Sequence, residues 1–440
     1  MRTLLAGAVV VTCDASHTIH IPGDVLIDGD RIAYVGPSYS GPYDRRIDAG
    51  GCLVMPGLIN AHTHSPMTLF RSLADDVDLQ VFLEERVWPR EVVLTPEDVY
   101  AGAALAAVEM LKSGVTTYAD MYFWEEQLAQ AALDVGIRSL QTPGILESPA
   151  WEAILGTWER RLDRVLSFCR DWEGRGGLIH TGVGPHAPYT LPLEALREIA
   201  GEAHRRGLLV HIHLVETQRE QREFNARGQG STAQILEGIG FFDGPVLAAH
   251  SVWIDDGDEL IYARHGVAVA HCPQSNAKLG SGIAPLARLL AREVVVGLGT
   301  DGAATNNNLD LWEEIRLAPL LAKVSALDPK PVPAGQALAM ATRQGAAALR
   351  LPAVGTLEEG KKADVILLNL DETIVPIFTP STYIDHLVYS GGRHLVDSVW
   401  VNGRHVVDGG HVRTVDEEAV RAAAQRAALA VSRRIEGVGV

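Results

Sequence analysis

Eight short apolar runs, each bounded by turn signals, alternate along this chain with longer segments of helical period. The runs are Leu53 to Ala61, Val115 to Asp120, Ile137 to Pro143, Ile179 to Gly184, Leu208 to Leu214, Val246 to His250, Val267 to His271 and Val294 to Gly299. Between them lie amphipathic or alanine-rich stretches such as Asp98 to Lys112, Leu193 to Arg206 and Leu286 to Arg292, with glycines at helix stops: Gly114, Gly136, Gly207 and Gly266. Eight strands alternating with helices imply an α/β fold of the (β/α)8 barrel type, whose active site lies at the C-terminal ends of the strands.

The chain ends read as β structure. Asp28-Gly29, between Val25 to Ile27 and Arg31 to Val35, is a hairpin signal, as is Asn402-Gly403 between Val399 to Val401 and His405 to Val407. Each end supplies only a few strands, so the two are expected to join as one small β-sandwich domain into which the barrel is inserted. The expected limits are 1–58 and 356–440 for the small domain and 59–355 for the barrel, with Glu417 to Arg434 as a closing helix.

Composition narrows the partners. Fifty-five acidic against 38 basic residues give a formal charge of −17, with no Lys/Arg cluster, which argues against nucleic acid. The four cysteines, Cys13, Cys52, Cys169 and Cys272, have no CxxC spacing and read as reduced thiols of a cytoplasmic protein. The start of the chain does not read as a secretion signal, and no apolar run reaches membrane-spanning length, so no membrane association is expected.

Polar clusters fall at the strand ends. His62 and His64, two apart on one strand, point to one face and can share a cation. An HxH pair alone is a weak signal; its place after the first barrel strand strengthens it. His213 ends the fifth strand and Glu216 follows it; His211 lies one layer deeper and reads as a hydrogen-bonded core residue. His250 ends the sixth strand, and Asp301 follows the eighth between glycines. In isolation Asp301 would be a helix cap or turn residue. Three neutral imidazoles and a carboxylate leave a coordination position open for water, the arrangement of a catalytic zinc site, although these ligand types also suit iron or manganese.

Several segments carry a resemblance: Pro56 to Met67, Ala74 to Glu91, Gly184 to Tyr189, His211 to Thr217, Ala249 to Val252, Ser275 to Pro285 and Gly297 to Leu309. Over nearly its whole length the chain resembles the amidohydrolase superfamily, and within it the methylthioadenosine/S-adenosylhomocysteine deaminases. The resemblance implies that His62, His64, His213 and Asp301 hold one divalent metal ion, Zn2+ first and Fe2+ or Mn2+ next, with Asp301 also taking a proton from water. It implies that Glu216 protonates a ring nitrogen, that His250 orients the attacking water, and that His186 and Glu91 contact substrate, Glu91 at the ribose hydroxyls. The fourth strand ends in Gly184-Pro185-His186, without a bridging acid or lysine, so a single metal is expected.

The expected substrate is accordingly a small adenosine-type nucleoside and the expected assembly a homo-oligomer. The alternatives are another amino-substituted heterocycle (pterin, guanine derivative or triazine) and an inactive barrel kept as a binding protein. Arg161, within Trp158 to Leu162, is expected on a solvated helix face, and His271 as a packing residue. His17, His20, His386, His394, His405 and His411 are expected to be structural in the small domain. Asp75-Asp76 receives no catalytic role, and Trp88 could wall the substrate site or simply pack in the core.

Overall fold

The computed structural model describes all residues except 74, 78, 227–229, 371–379, 381 and 439–440. Ala74 and Asp78 of the Ala74 to Glu91 motif therefore lie outside the described residues.

The barrel strands are Leu58–Thr63, Val115–Asp120, Arg138–Gln141, Ile179–Pro185, Leu209–Leu214, Val246–His250, Ala268–His271 and Val296–Leu298, all parallel and neighbours in sequence order. Nearly every residue in them is buried, as a sheet covered on one face by helices and filled on the other requires. Between the eighth and first strands the barrel is drawn together by Asn60. Its amide nitrogen donates to Thr300 Oγ1 at 2.7 Å and its carbonyl accepts from Thr300 N at 3.0 Å, while Asp301 N donates to His62 O at 3.0 Å. That seam places His62 and Asp301 side by side.

Helix boundaries follow local chemistry. The helix Pro96–Lys112 starts with a reciprocal capping box between Thr95 and Asp98, and Asp256–His265 starts with one between Asp255 and Asp258 and stops at Gly266, whose φ is 65°. The last helix spans Glu417–Val438, containing the expected closing helix.

The ends of the chain build one nine-stranded mixed sheet. Strands Arg2–Val11, Ile19–Asp28, Arg31–Gly36, Arg45–Asp48 and Cys52–Pro56 come from one end, and Val365–Asn369, Val396–Val401, Arg404–Asp408 and His411–Val412 from the other. The join is the antiparallel pairing of Val365–Asn369 with Cys52–Pro56. The sheet curls over a shared core, so that Ile32 and Trp400, from strands far apart in its order, belong to one apolar cluster. A Cβ on Gly403 would meet the Gly29 carbonyl oxygen at 1.8 Å, which leaves only glycine where the two hairpin turns touch.

Three details depart from expectation. The run Leu53 to Ala61 is two strands, divided at Gly57, because the chain passes there from the mixed sheet into the barrel. Gly57 is required: a Cβ would lie 2.1 Å from Thr116 Oγ1. The first hairpin turns on Gly29-Asp30, one residue later than expected, since Asp28 pairs with Arg31; the second turns on Asn402-Gly403 as expected, both with positive φ. His386 lies on the helix Thr382–Tyr389, not in the mixed sheet. By contrast His405 stacks on Trp400 within the sheet, ring centroids 4.3 Å apart. All four cysteines are free, and among the described residues no helix is long and apolar enough to cross a membrane.

Candidate active site

His62, His64, His213, Glu216, His250 and Asp301 converge at the C-terminal mouth of the barrel, and all are buried. His64 Nε2 lies 3.2 Å from His213 Nε2 and 3.2 Å from Asp301 Oδ1, and His62 Nε2 lies 3.5 Å from the same Asp301 oxygen. Donor atoms of His62, His64 and Asp301 lie within 4.8 Å of one another, and so do those of His62, His213 and His250.

The outer nitrogen of each ring is committed elsewhere. His64 Nδ1 donates to Met121 O at 2.6 Å, and His213 Nδ1 donates to His186 O at 2.8 Å. His62 is fixed by a longer chain: Thr142 Oγ1 donates to Asp120 O, His211 Nδ1 then donates to Thr142 Oγ1 at 2.9 Å, and His62 Nδ1 donates to His211 Nε2 at 2.8 Å. Each Nε2 is thereby left as a lone pair facing inward, the tautomer a metal ligand needs. His62 Nε2 is buried without a hydrogen-bond partner, and two facing lone pairs on His64 and His213 repel unless a cation or proton lies between them. These residues fit a bound divalent ion.

Electrostatics agree with that fit. Burial raises the Asp301 carboxyl, but the adjacent His62 and His64 outweigh it and hold it well below the usual range. Burial lowers His62 to about 4 and lowers His213 well below the usual range, keeping both neutral. His64, although burial opposes it, is raised to about 9 by Asp301, so that with no cation in place its Nε2 holds a proton, which a metal ion bound there would displace. Burial also raises Glu216, against the pull of His250.

Left-handed backbone turns these side chains inward. Val215, His250 and Asp301 have φ of 53°, 70° and 60°, each just at or past the end of a strand, and such strain in non-glycine residues gathers at functional sites. Glu220 secures the first of these turns, its carboxylate accepting from Val215 N at 2.8 Å and Glu216 N at 2.9 Å. At Gly299 a Cβ would lie 2.8 Å from His62 Cβ, so only glycine lets the eighth strand lie against the first.

A cavity opens from this cluster, and Glu91, His186 and Trp88 line it. Burial raises Glu91 to about 7, against the Tyr122 hydroxyl. His186 Nδ1 lies 3.2 Å from Thr190 Oγ1, and its ring packs against that of His213, centroids 4.8 Å apart. Trp88 is half-buried, lines the cavity and also packs on the core. His271 is buried and does not line the cavity.

Arg161 requires a correction. It is 1% exposed, not on a solvated face: Nη1 and Nη2 donate to Glu125 at 3.0 and 2.9 Å and Nε donates to Gly144 O at 3.0 Å. A fully buried carboxylate at Glu125 draws the guanidinium inward. Asp75 pairs with Lys278 at 2.5 Å and stays out of the cluster.

Three positioning side chains follow the seventh strand and were not picked out from the sequence. Asn276 Oδ1 accepts from His250 Nδ1 at 2.9 Å, Ser275 Oγ donates to Asp301 Oδ2 at 2.7 Å, and Ser281 Oγ donates to Glu216 Oε1 at 3.2 Å. Their signal was the Ser275 to Pro285 motif, whose polar residues had no assigned partners.

Residues 53–406 match the amidohydrolase family model. The chain belongs to the amidohydrolase family. This amidohydrolase is 45% identical over 439 residues to a 5-methylthioadenosine/S-adenosylhomocysteine deaminase of Pelotomaculum thermopropionicum, covering 98% of this chain and 99% of that one. It is 44% identical over 427 residues to a 5'-deoxyadenosine deaminase of Methanosarcina acetivorans, covering 97% of each chain. Its fold superimposes on a zinc-bound adenosine deaminase from Xanthomonas campestris with a TM-score of 0.93, at 32% identity and 99% and 98% coverage.

Proposed function

We propose that this amidohydrolase hydrolytically deaminates adenosine-type nucleosides, among them 5'-methylthioadenosine, S-adenosylhomocysteine and adenosine, to the inosine analogue and ammonia. The observation that carries this reading is the placing of Glu91 and Glu216 in one cavity with the His and Asp cluster. Full-length likeness to deaminases of 5'-substituted adenosines supports it.

His62, His64, His213 and Asp301 would hold a single divalent ion, with zinc first among the candidates. When bound, such an ion lowers the pKa of a coordinated water towards about 7. Asp301, kept ionised by its histidine neighbours, accepts the proton that the attacking water gives up. Glu216, its carboxyl raised by burial, stays protonated to a higher pH and donates to the purine ring nitrogen, making C6 electrophilic. His250, held by Asn276 with its Nε2 3.8 Å from Glu216 Oε2, orients the water towards C6. After addition, protonation of the exocyclic amine lets ammonia depart.

Glu91 is the acceptor for the ribose hydroxyls, and a carboxylate accepting from two adjacent hydroxyls selects a nucleoside over a compact heterocycle. His186 contacts the substrate from the fourth strand. The four free cysteines support a reducing, cytoplasmic setting.

Ammonia release and the ultraviolet shift from adenine to hypoxanthine test the reading. Zinc-loaded protein is expected to show both, chelation to abolish them, and Glu216→Gln to lower kcat by about 10²- to 10⁴-fold. Full activity in Glu216→Gln would overturn it.

A further inference from the structure

The cavity's lining is mixed, and the barrel order tells where its parts come from. Metal-ligand candidates stand at the first, fifth and eighth strand ends, with Glu216 beside the fifth. The ends of the second and third strands supply Phe123, Gly144 and Leu146 instead, and Phe82 and Leu83 reach the cavity from the segment after the first strand. Glu91 and Tyr122 stand on the side of the first two strands. With the purine at Glu216 and the ribose at Glu91, the apolar lining from the second and third strand ends is what remains in the cavity for a 5' substituent.

That wall is built to stay apolar. Phe123 packs on buried Trp151, ring centroids 4.1 Å apart. Behind it, Arg161 is turned away from the cavity by its three hydrogen bonds to Glu125 and the Gly144 carbonyl. Turning Arg161 towards a ligand would strip most of the compensation from Glu125, which is 0% exposed. Among the described residues lining the cavity none is a lysine or arginine. A carboxylate placed there would lose its hydration without gaining a counter-charge from these lining residues, whereas an alkyl or thioether group is favoured by burial.

Building on the deaminase reading, we propose that this enzyme selects adenosines whose 5' substituent is uncharged and apolar, such as 5'-deoxy or 5'-methylthio, over those bearing an amino-acid group. The discrimination comes from charge at the second- and third-strand wall and falls mainly on KM.

The test is kcat/KM of the zinc-loaded full-length protein for 5'-deoxyadenosine, 5'-methylthioadenosine, 5'-butylthioadenosine and S-adenosylhomocysteine. The three uncharged substrates are expected to exceed S-adenosylhomocysteine at least tenfold. S-adenosylhomocysteine matching or exceeding 5'-methylthioadenosine overturns the inference and leaves the deaminase reading standing. A 5'-butylthio substrate as poor as S-adenosylhomocysteine also overturns it, since length and not charge would then decide. No ammonia from any of the four sinks the deaminase reading, and this inference with it.

Discussion

His211 holds His62 in one tautomer: its Nε2 accepts from His62 Nδ1 at 2.8 Å, and its own Nδ1 is anchored on Thr142. The inward Nε2 of His62 is bare because of a residue that does not itself belong to the candidate metal site. Replacing such an outer partner costs about 10- to 100-fold in metal affinity. His211→Ala is expected to lose zinc to a competing chelator by that factor; unchanged zinc retention would refute the relay.

Gly299 should tolerate nothing larger. In Gly299→Ala the new methyl lies 2.8 Å from His62 Cβ and 2.9 Å from the His62 backbone N and O, so the first strand must shift. Metal content of the purified variant is expected to fall well below that of the parent, with loss of ammonia release, and a full complement of zinc would contradict the close approach.

Glu91 gives a pH signature. Its carboxyl is raised to about 7 by burial, so above that value it is ionised and, in the role proposed for it, would accept from both ribose hydroxyls, while below it the proton would remove part of that capacity. Nucleoside kcat/KM is therefore expected to fall as pH drops through about 7. Glu91→Gln should lose about tenfold to a hundredfold and flatten that limb, in line with a lost charge-assisted hydrogen bond. An unaltered pH profile in the variant would remove Glu91 from substrate recognition.

Glu220 acts through its neighbours. Its loss leaves the Val215 and Glu216 N–H groups without an acceptor and frees the left-handed turn that aims Glu216. Glu220→Ala is expected to destabilise by about 1–3 kcal/mol and to lower kcat more than it raises KM. A variant with kcat intact at a temperature where it remains folded would show that Glu216 needs no such support.

The Arg161–Glu125 pair is structural. Arg161→Leu leaves a buried carboxylate with only Arg164, at 3.2 Å, and is expected to cost about 3 kcal/mol in denaturant unfolding. A loss below about 1 kcal/mol would mean that the carboxyl takes up a proton at little cost instead.

The barrel was legible in the sequence because a parallel strand buried on both faces must be a continuous apolar run, and each helix between must end at a residue that tolerates a positive φ, as at Gly136 and Gly266. The cluster of His62, His64, His213, Glu216, His250 and Asp301 was legible for a related reason: in this fold the C-terminal strand ends meet at one mouth, so polar residues there are brought together however far apart in sequence. What the sequence could not determine was any relation decided by packing between distant segments. Whether Arg161 faces solvent depends on Glu125 being buried behind Gly144; which nitrogen of His62 carries a proton depends on Thr142 and Asp120; and the break at Gly57 depends on contact with Thr116. Periodicity records which residues are buried, whereas the partner each buried polar atom finds is set only when the strands close into a barrel.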